Sequence, residues 1–177
     1  MTKYANVLWL DLEMTGLDPL KDHILEAAAI ATDWQFKEIA DTEMVIHQPD
    51  DVLDHMNEWC VTQHGASGLT ERSRQATLTS TEAEDALITF IAEHFKKDKP
   101  VLLGGNSIHM DRRFIAAHWP KLDALLHYRM LDVSAWKVVF EGKYRGQKFL
   151  KPEDHRALND IRGSIDELQF YLQKVKG

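Results

Sequence analysis

Val7-Leu8-Trp9-Leu10-Asp11-Leu12-Glu13-Met14-Thr15-Gly16 is the stretch on which the reading of this chain turns. It opens as an apolar run of strand length, rich in residues that suit a pleated surface. Two carboxylates then interrupt it at positions i and i+2. Side chains on a strand alternate faces, so Asp11 and Glu13 leave the same one. At roughly 3.3 Å per residue their backbones lie about 6.6 Å apart. Like charges that close, beside a core, raise each other's pKa unless something positive sits between them. A hard divalent cation, which takes oxygen ligands, is the simplest partner. The competing reading ends the strand at Leu10 and turns both acids into water before a turn at Thr15-Gly16. The stretch alone leaves both open.

Outward from it, Ile24 to Thr32 is a dense run of small and apolar residues broken only by Glu26, and reads as a strand. Thr42 to His47 returns before Pro49, giving an antiparallel meander that starts at the acidic strand. The spacing of Val52, Leu53, Met56, Trp59 and Cys60 predicts a helix over 50–64 with Gly65 as its C-cap, followed by a polar loop over 66–79. Thr81 and Glu84 have the spacing of a capping box at the head of a helix whose apolar stripe runs from Ala83 to Phe95. Val101 to Leu103 is a short strand, and a helix through Arg112, Phe114 and Ile115 stops at Pro120. A strand over 128–133, a helix over 135–140 capped by Ser134, a basic loop over 142–153 and a last helix with Leu158, Ile161, Ile165, Leu168 and Leu172 complete the chain. The expectation is one α/β domain over 1–177 with a mixed sheet.

The 177 residues suffice for one well-buried domain. Composition is ordinary for a globular protein, with 44% hydrophobic and 28% charged residues. No apolar stretch approaches the roughly 18 residues of a membrane span, and the N-terminus lacks a secretory signal. Cys60 is the only cysteine, so no intrachain disulfide can form, a cysteine-based zinc site is disfavoured and a cytoplasmic setting is expected. The net charge of −7 disfavours gripping a long nucleic acid through many phosphates. It leaves room for a short nucleotide ligand held by metal ions.

Three further sites can complete the acidic strand. Asp111, in Asn106-Ser107-Ile108-His109-Met110-Asp111-Arg112-Arg113-Phe114, follows a buried strand, where loops reach a sheet edge. It also reads as a solvated acid favoured by a helix dipole. His155 and Asp160, in His155-Arg156-Ala157-Leu158-Asn159-Asp160-Ile161, lie five residues apart and converge only if His155 precedes the helix. Asp160 flanks the buried stripe, where a carboxylate can point into a cleft between helix and sheet.

Asp-x-Glu on a first strand, Asp after a middle strand and His-x₄-Asp at the last helix, in that order, resemble the DEDDh family of 3′–5′ exonucleases. The likeness extends through Trp9 to Pro19, Gly105 to Ile108, Asp111 to Phe114, His127 to Arg129, Leu131 to Ser134 and His155 to Ile161. Over these it is similar to the branch acting on very short RNA. The loop from Lys143 to Asp154 has no confident match. The resemblance implies a ribonuclease H-like fold, a five-stranded mixed sheet flanked by helices. It also implies two divalent cations, Mg²⁺ or Mn²⁺, held by Asp11, Glu13, Asp111 and Asp160, with His155 as general base. The implied substrate is an oligoribonucleotide, ultimately a dinucleotide such as pGpG, cut to nucleoside 5′-monophosphates by a homodimer. By position, Leu17 would wedge against the bases and Trp59 and His64 contact the 3′ side. Ser107, Tyr128, Arg129 and Ser134 would close around the 5′ end, with Tyr128 and Arg129 reaching from the partner subunit and Tyr128 counted among the catalytic groups. Without the resemblance, Leu17 and Trp59 read as core or turn packing, Tyr128 as a half-buried strand residue, Ser134 as a helix cap and His64 as a surface histidine.

Overall fold

The computed structural model describes residues 4–144, 149 and 157–175. Five strands form one mixed sheet: β1 (Val7–Met14), β2 (Ile24–Thr32), β3 (Glu38–Val45), β4 (Val101–Gly105) and β5 (Leu126–Asp132), in the order β3-β2-β1-β4-β5. The β1–β2 and β2–β3 pairs are antiparallel, while β1–β4 and β4–β5 are parallel. Central strands are covered on both faces, which is why β1 and β2 read as nearly continuous apolar runs.

Period two divides β1 between two cores. Leu8, Leu10 and Leu12 pack toward α4 (Ser80–His94), α5 (His109–His118) and α6 (Pro120–Leu125). Val7 and Trp9 pack on the other face with α7 (Val133–Val139) and α8 (Ala157–Val175). A smaller core of Leu25, Leu53, Met56, Cys60 and Leu69 lies under α1 (Asp50–Leu53), α2 (Glu58–Ala66) and α3 (Leu69–Gln75). Among the described residues no helix is long and apolar enough to cross a membrane.

Several local expectations are corrected. The helix expected over 50–64 is two, because Asn57 starts afresh by accepting the Cys60 N–H at 2.9 Å. Gly65 lies inside α2, and the left-handed turn falls to Gly68 at φ 73°, so the expected loop contains α3. The capping box is Thr79 with Glu82, two residues earlier than Thr81 with Glu84. The helix through Arg112 stops before Pro120 as expected, and Pro120 also opens α6 at its first turn, where a missing N–H costs nothing. Asp132, whose carboxylate accepts the Ser134 N–H at 2.9 Å, caps α7, so Ser134 is not the cap. Edge strand β3 begins at Glu38, since its alternating exposure dilutes the apolar signal. On α8 the buried stripe takes in Ala157 and Tyr171.

Because both halves of the box meet at Thr79, Thr79→Ala should destabilise the protein by about 1 kcal/mol. Thr81→Ala should change stability by less than roughly half of that. Urea unfolding of the two variants checks the assignment, and the reverse order would refute it.

Candidate active site

The β1 face that begins with Val7 and Trp9 continues at Asp11 and Glu13, where the sheet is no longer covered by apolar contacts. The parallel pairing with β4 ends at Trp9 opposite Gly104, so both acids project past the carboxyl end of β4. Crevices at the carboxyl ends of strands are where open α/β sheets hold ligands. From the other side α8 buries Ala157 and Ile161 against the same face, which brings Asp160 over β1. One carboxylate oxygen from each of Asp11, Glu13 and Asp160 then lies within 4.8 Å of the others.

Asp111 joins from the first turn of α5. It is 6% exposed, and its Oδ1 accepts the Leu12 N–H at 2.9 Å, which clamps it to β1 between the two strand acids. Burial, and next the charge of Asp11, push its carboxyl well above the usual carboxylate range. Glu13 is pushed up to about 7, first by burial and then by Glu26, Asp160 and Asp111. Glu26 faces Glu13 across the β1–β2 pair, is buried, and takes the Arg72 guanidinium of α3 at 2.8 Å. The donors around Asp11 are all hard oxygens, a set suited to Mg²⁺ or Mn²⁺. A divalent cation bound by Asp11, Glu13 and Asp160 would remove the repulsion that raises Glu13.

Beside Glu13 opens a cavity of about 360 Å³ lined by Leu12, Met14, Gly16, Leu17, Trp59 and His64, among others. Leu17 is 69% and Trp59 67% exposed, so neither serves as core packing. The loop bearing Leu17 is pinned by Asp22, whose carboxylate accepts the Thr15 hydroxyl at 3.2 Å and the Asp18 N–H at 2.8 Å. A Cβ on Gly16 would come within 2.4 Å of that carboxylate, so a side chain there would displace the group that pins the loop. His118 further ties the loop by donating Nε2–H to the Pro19 carbonyl at 3.1 Å. His64 is 3% exposed, and its Nε2 lies 2.9 Å from the Met14 carbonyl. A carbonyl only accepts, so Nε2 carries the hydrogen. Burial lowers the pKa of His64, and the neutral ring braces the end of β1.

Just past the carboxyl end of β4, Ser107 adopts φ 49° and donates its N–H to Asp132 Oδ1 at 3.1 Å and Ser134 Oγ at 2.9 Å. Tyr128 is 73% exposed, and the Arg129 guanidinium stands 5.4 Å from its ring centre and donates to the Tyr4 hydroxyl. Both lie in the irregular part of the β4–β5 pairing, between the Val101–Leu126 and Leu103–Met130 rows. That is level with Leu102 and hence with Val7 on β1, about 13 Å along the strand from Asp11. Within one chain, then, Asp11, Glu13, Asp160 and Asp111 are gathered beside Leu17, Trp59 and His64, while Tyr128 and Arg129 are not. The expected general base, His155, falls outside the described residues. Sequence reasoning left Glu26, Arg72 and Asp22 without a role. Of these only Glu26 carried a signal, as the one acid inside an apolar strand.

The profile of a protein family described as Exonuclease matches residues 8–168. An oligoribonuclease of Francisella tularensis subsp. tularensis is 46% identical over 176 residues, 99% of this chain and 98% of the relative. An oligoribonuclease of Marinobacter nauticus is 44% identical, covering 97% of this chain and 96% of its own length. Among solved structures, the nuclease domain of 3′hExo, a DEDDh family member bound to rAMP, superposes with a TM-score of 0.66 at 12% identity, covering 97% of this chain and 93% of that one. A zinc-bound E. coli ExoI–ssDNA complex gives 0.67 at 16% identity, covering 99% of this chain but only 41% of that one. These structures share the fold: a five-stranded mixed sheet flanked by helices, ribonuclease H-like in class. The chain belongs to the exonuclease family and is, by class, a 3′–5′ exoribonuclease.

The raised carboxyl of Glu13 has a consequence for stability. Its folded pKa of about 7 exceeds its unfolded value of 4.5, so its contribution is intact below the unfolded value and lost as pH rises through 7. For the metal-free protein the loss is on the order of 3 kcal/mol, and Asp111 acts in the same direction. The metal-free melting temperature should therefore fall between pH 5 and pH 8, Mn²⁺ should restore it chiefly at pH 8, and Glu13→Gln should flatten the slope. A wild-type slope equal to that of Glu13→Gln would contradict this account.

Proposed function

We propose that this single-domain enzyme hydrolyses very short oligoribonucleotides from the 3′ end, down to dinucleotides such as pGpG, and releases nucleoside 5′-monophosphates. The observation that carries the reading is the cluster of Asp11, Glu13 and Asp160, with oxygens within 4.8 Å, opening beside a cavity flanked by exposed Leu17 and Trp59. The residues fit a pair of divalent cations, Mg²⁺ or Mn²⁺. Asp11, Glu13 and Asp160, with Asp111 beside them, would hold the cations. When bound, such a pair stabilises both the attacking and the leaving oxygen of an in-line displacement at phosphorus.

The chain's own groups do the rest. His155 takes a proton from the attacking water, a role suited to an imidazole whose ordinary pKa is near 6.5. Leu17 packs against the bases. Trp59 offers a stacking surface and His64 holds the end of β1 against the 3′ side. Stacking contributes about 1–3 kcal/mol per base and tolerates any sequence. Ser107 and Ser134 receive the 5′ end, and Arg129 is suited to forked contacts with its phosphate. Tyr128 and Arg129 stand on an exposed edge strand, remote from the acids of their own chain, which supports their service to a partner's site in a homodimer. The net charge of −7 agrees with a short substrate in a cytoplasmic setting and with no stable complex on long nucleic acid. An exonuclease working on longer single strands is the reading to be separated from this one.

Incubation with pGpG and with a twenty-nucleotide RNA, with and without Mg²⁺, decides between them. Rapid, EDTA-sensitive cleavage of pGpG with slow attack on the long RNA is expected, and the opposite order would reject the short-substrate reading. If Arg129 closes on a terminal phosphate, Arg129→Ala should slow dinucleotide hydrolysis far more than heptamer hydrolysis. A loss uniform across lengths would remove that role.

A further inference from the structure

Asn106 lies between Gly105, the last residue of β4, and Ser107, and its carboxamide reaches α8. Nδ2 donates to Ser164 Oγ at 2.9 Å and to Glu167 Oε2 at 3.1 Å, while Oδ1 accepts the Ser134 hydroxyl at 3.2 Å. Ser164 and Glu167 are 4% and 5% exposed, and Asn106 is half-buried, so the α8 end of these bonds is buried. Ser164 spends its own hydrogen on the Asp160 carbonyl, one turn back, at 2.9 Å. Ser134 Oγ in turn accepts the Ser107 N–H at 2.9 Å.

The Ser107 N–H is shared between Asp132 and Ser134, and the hydroxyl and amide hydrogens each have one destination. Ser134 donates to Asn106, so the Ser107 hydroxyl, 3.1 Å from Ser134 Oγ, must donate to it. The opposite amide orientation would set the Asn106 oxygen against the Glu167 carboxylate and against a Ser164 hydroxyl already committed, which the network forbids. Glu167 fills its other oxygen from the Tyr171 hydroxyl at 2.7 Å. The result is one directed series of bonds from Ser107 and Ser134 through Asn106 to the turn of α8 that carries Asp160. Among short polar side chains, Asn alone offers two donors and an acceptor on a stem that spans Ser134, Ser164 and Glu167; Asp would replace its donors with charge against Glu167, and Ala would leave all three without it.

We propose that Asn106 is a positioning residue, which locks the metal ligand Asp160 on α8 to the Ser107–Ser134 seat for the 5′ end and so keeps the metal centre and the substrate terminus in fixed register. This rests on the function proposed above. It assigns a role to a residue that touches neither the cation nor the scissile bond. Residues that orient metal ligands from behind commonly affect affinity for the ion as strongly as they affect turnover.

The test compares wild type, Asn106→Ala and Ser164→Ala. Mn²⁺ is titrated into each metal-free protein by calorimetry, with no nucleotide present, and KM and kcat for pGpG are measured at saturating Mn²⁺. Both variants should bind Mn²⁺ about 10-fold or more weakly. Saturating Mn²⁺ should restore most of kcat in both. KM should stay raised only in Asn106→Ala, where Ser134 has lost its acceptor. Ser164→Ala favours the helix and keeps the Asn106–Glu167 bond, so it gives a result even if Asn106→Ala is too unstable to titrate. A fall in melting temperature with Mn²⁺ affinity unchanged would make the network merely structural and overturn the proposal. Wild type that binds Mn²⁺ and cleaves pGpG while both variants match it overturns this inference alone. Wild type that does neither overturns the function itself.

Discussion

The structure depends on one electrostatic constraint: two carboxylates leave the same face of the central strand within 4.8 Å of a third, with a fourth held against the same strand. Asp11, Glu13, Asp160 and Asp111 come from three separated parts of the chain, and each raises the cost of ionising another. A fold can tolerate that cost only where the surrounding structure over-determines the positions. Here β1 is flanked by β2 and β4, its apolar residues fill both cores, and the Leu12 N–H clamps Asp111. The acids are held by what precedes them on the same strand.

That arrangement explains the traffic around the site. Glu26 adds a fifth acid opposite Glu13, but Arg72 stands against it at 2.8 Å, so α3 brings a positive charge to the back of the cluster. The loop after β1 is tied down by Asp22 and His118 rather than by apolar burial, which leaves Leu17 standing in solvent. A side chain at Gly16 would push aside the Asp22 carboxylate, which lies where its Cβ would be. Scaffold and site are separated cleanly: the rigid parts carry the charges, and the exposed apolar groups sit on a pinned loop and on the first turn of α2.

Much of this is legible in the sequence where one face of one element decides the outcome. The period of two alone puts Asp11 and Glu13 on a common face, and the unbroken apolar run of β2 marks a strand covered on both sides. The position of Asp160 beside the α8 stripe is also readable, because a helix has a fixed angular step. What is not legible comes from competition between equivalent local signals. Thr79 and Thr81 each stand three residues before a Glu, and only packing of the helix chooses between them. Asp132 and Ser134 are both good caps, and the strand's exit direction favours Asp132. The burial of His64 and the pairing of Glu26 with Arg72 are long-range facts, joined across 50 and 46 residues respectively, and no local pattern announces them. Tyr128 and Arg129 come from resemblance alone, and nothing within one chain brings them to the acids.

The exposed side chains and the net charge bear on the same question, which is substrate length. Leaving Leu17 and Trp59 in water forgoes roughly 1.5–3 kcal/mol for each side chain that burial would supply. A bound base covering them recovers a comparable amount, since stacking contributes about 1–3 kcal/mol per base. With a net charge of −7, the chain as a whole offers little general attraction to a long polyanion. On the proposed function, affinity would be concentrated at the two ends of a ligand, on stacked bases at one and on a few donors at the other. Each further nucleotide adds backbone charge without adding a comparable contact. On the proposed function, a chain built this way would favour the shortest substrate that reaches both ends.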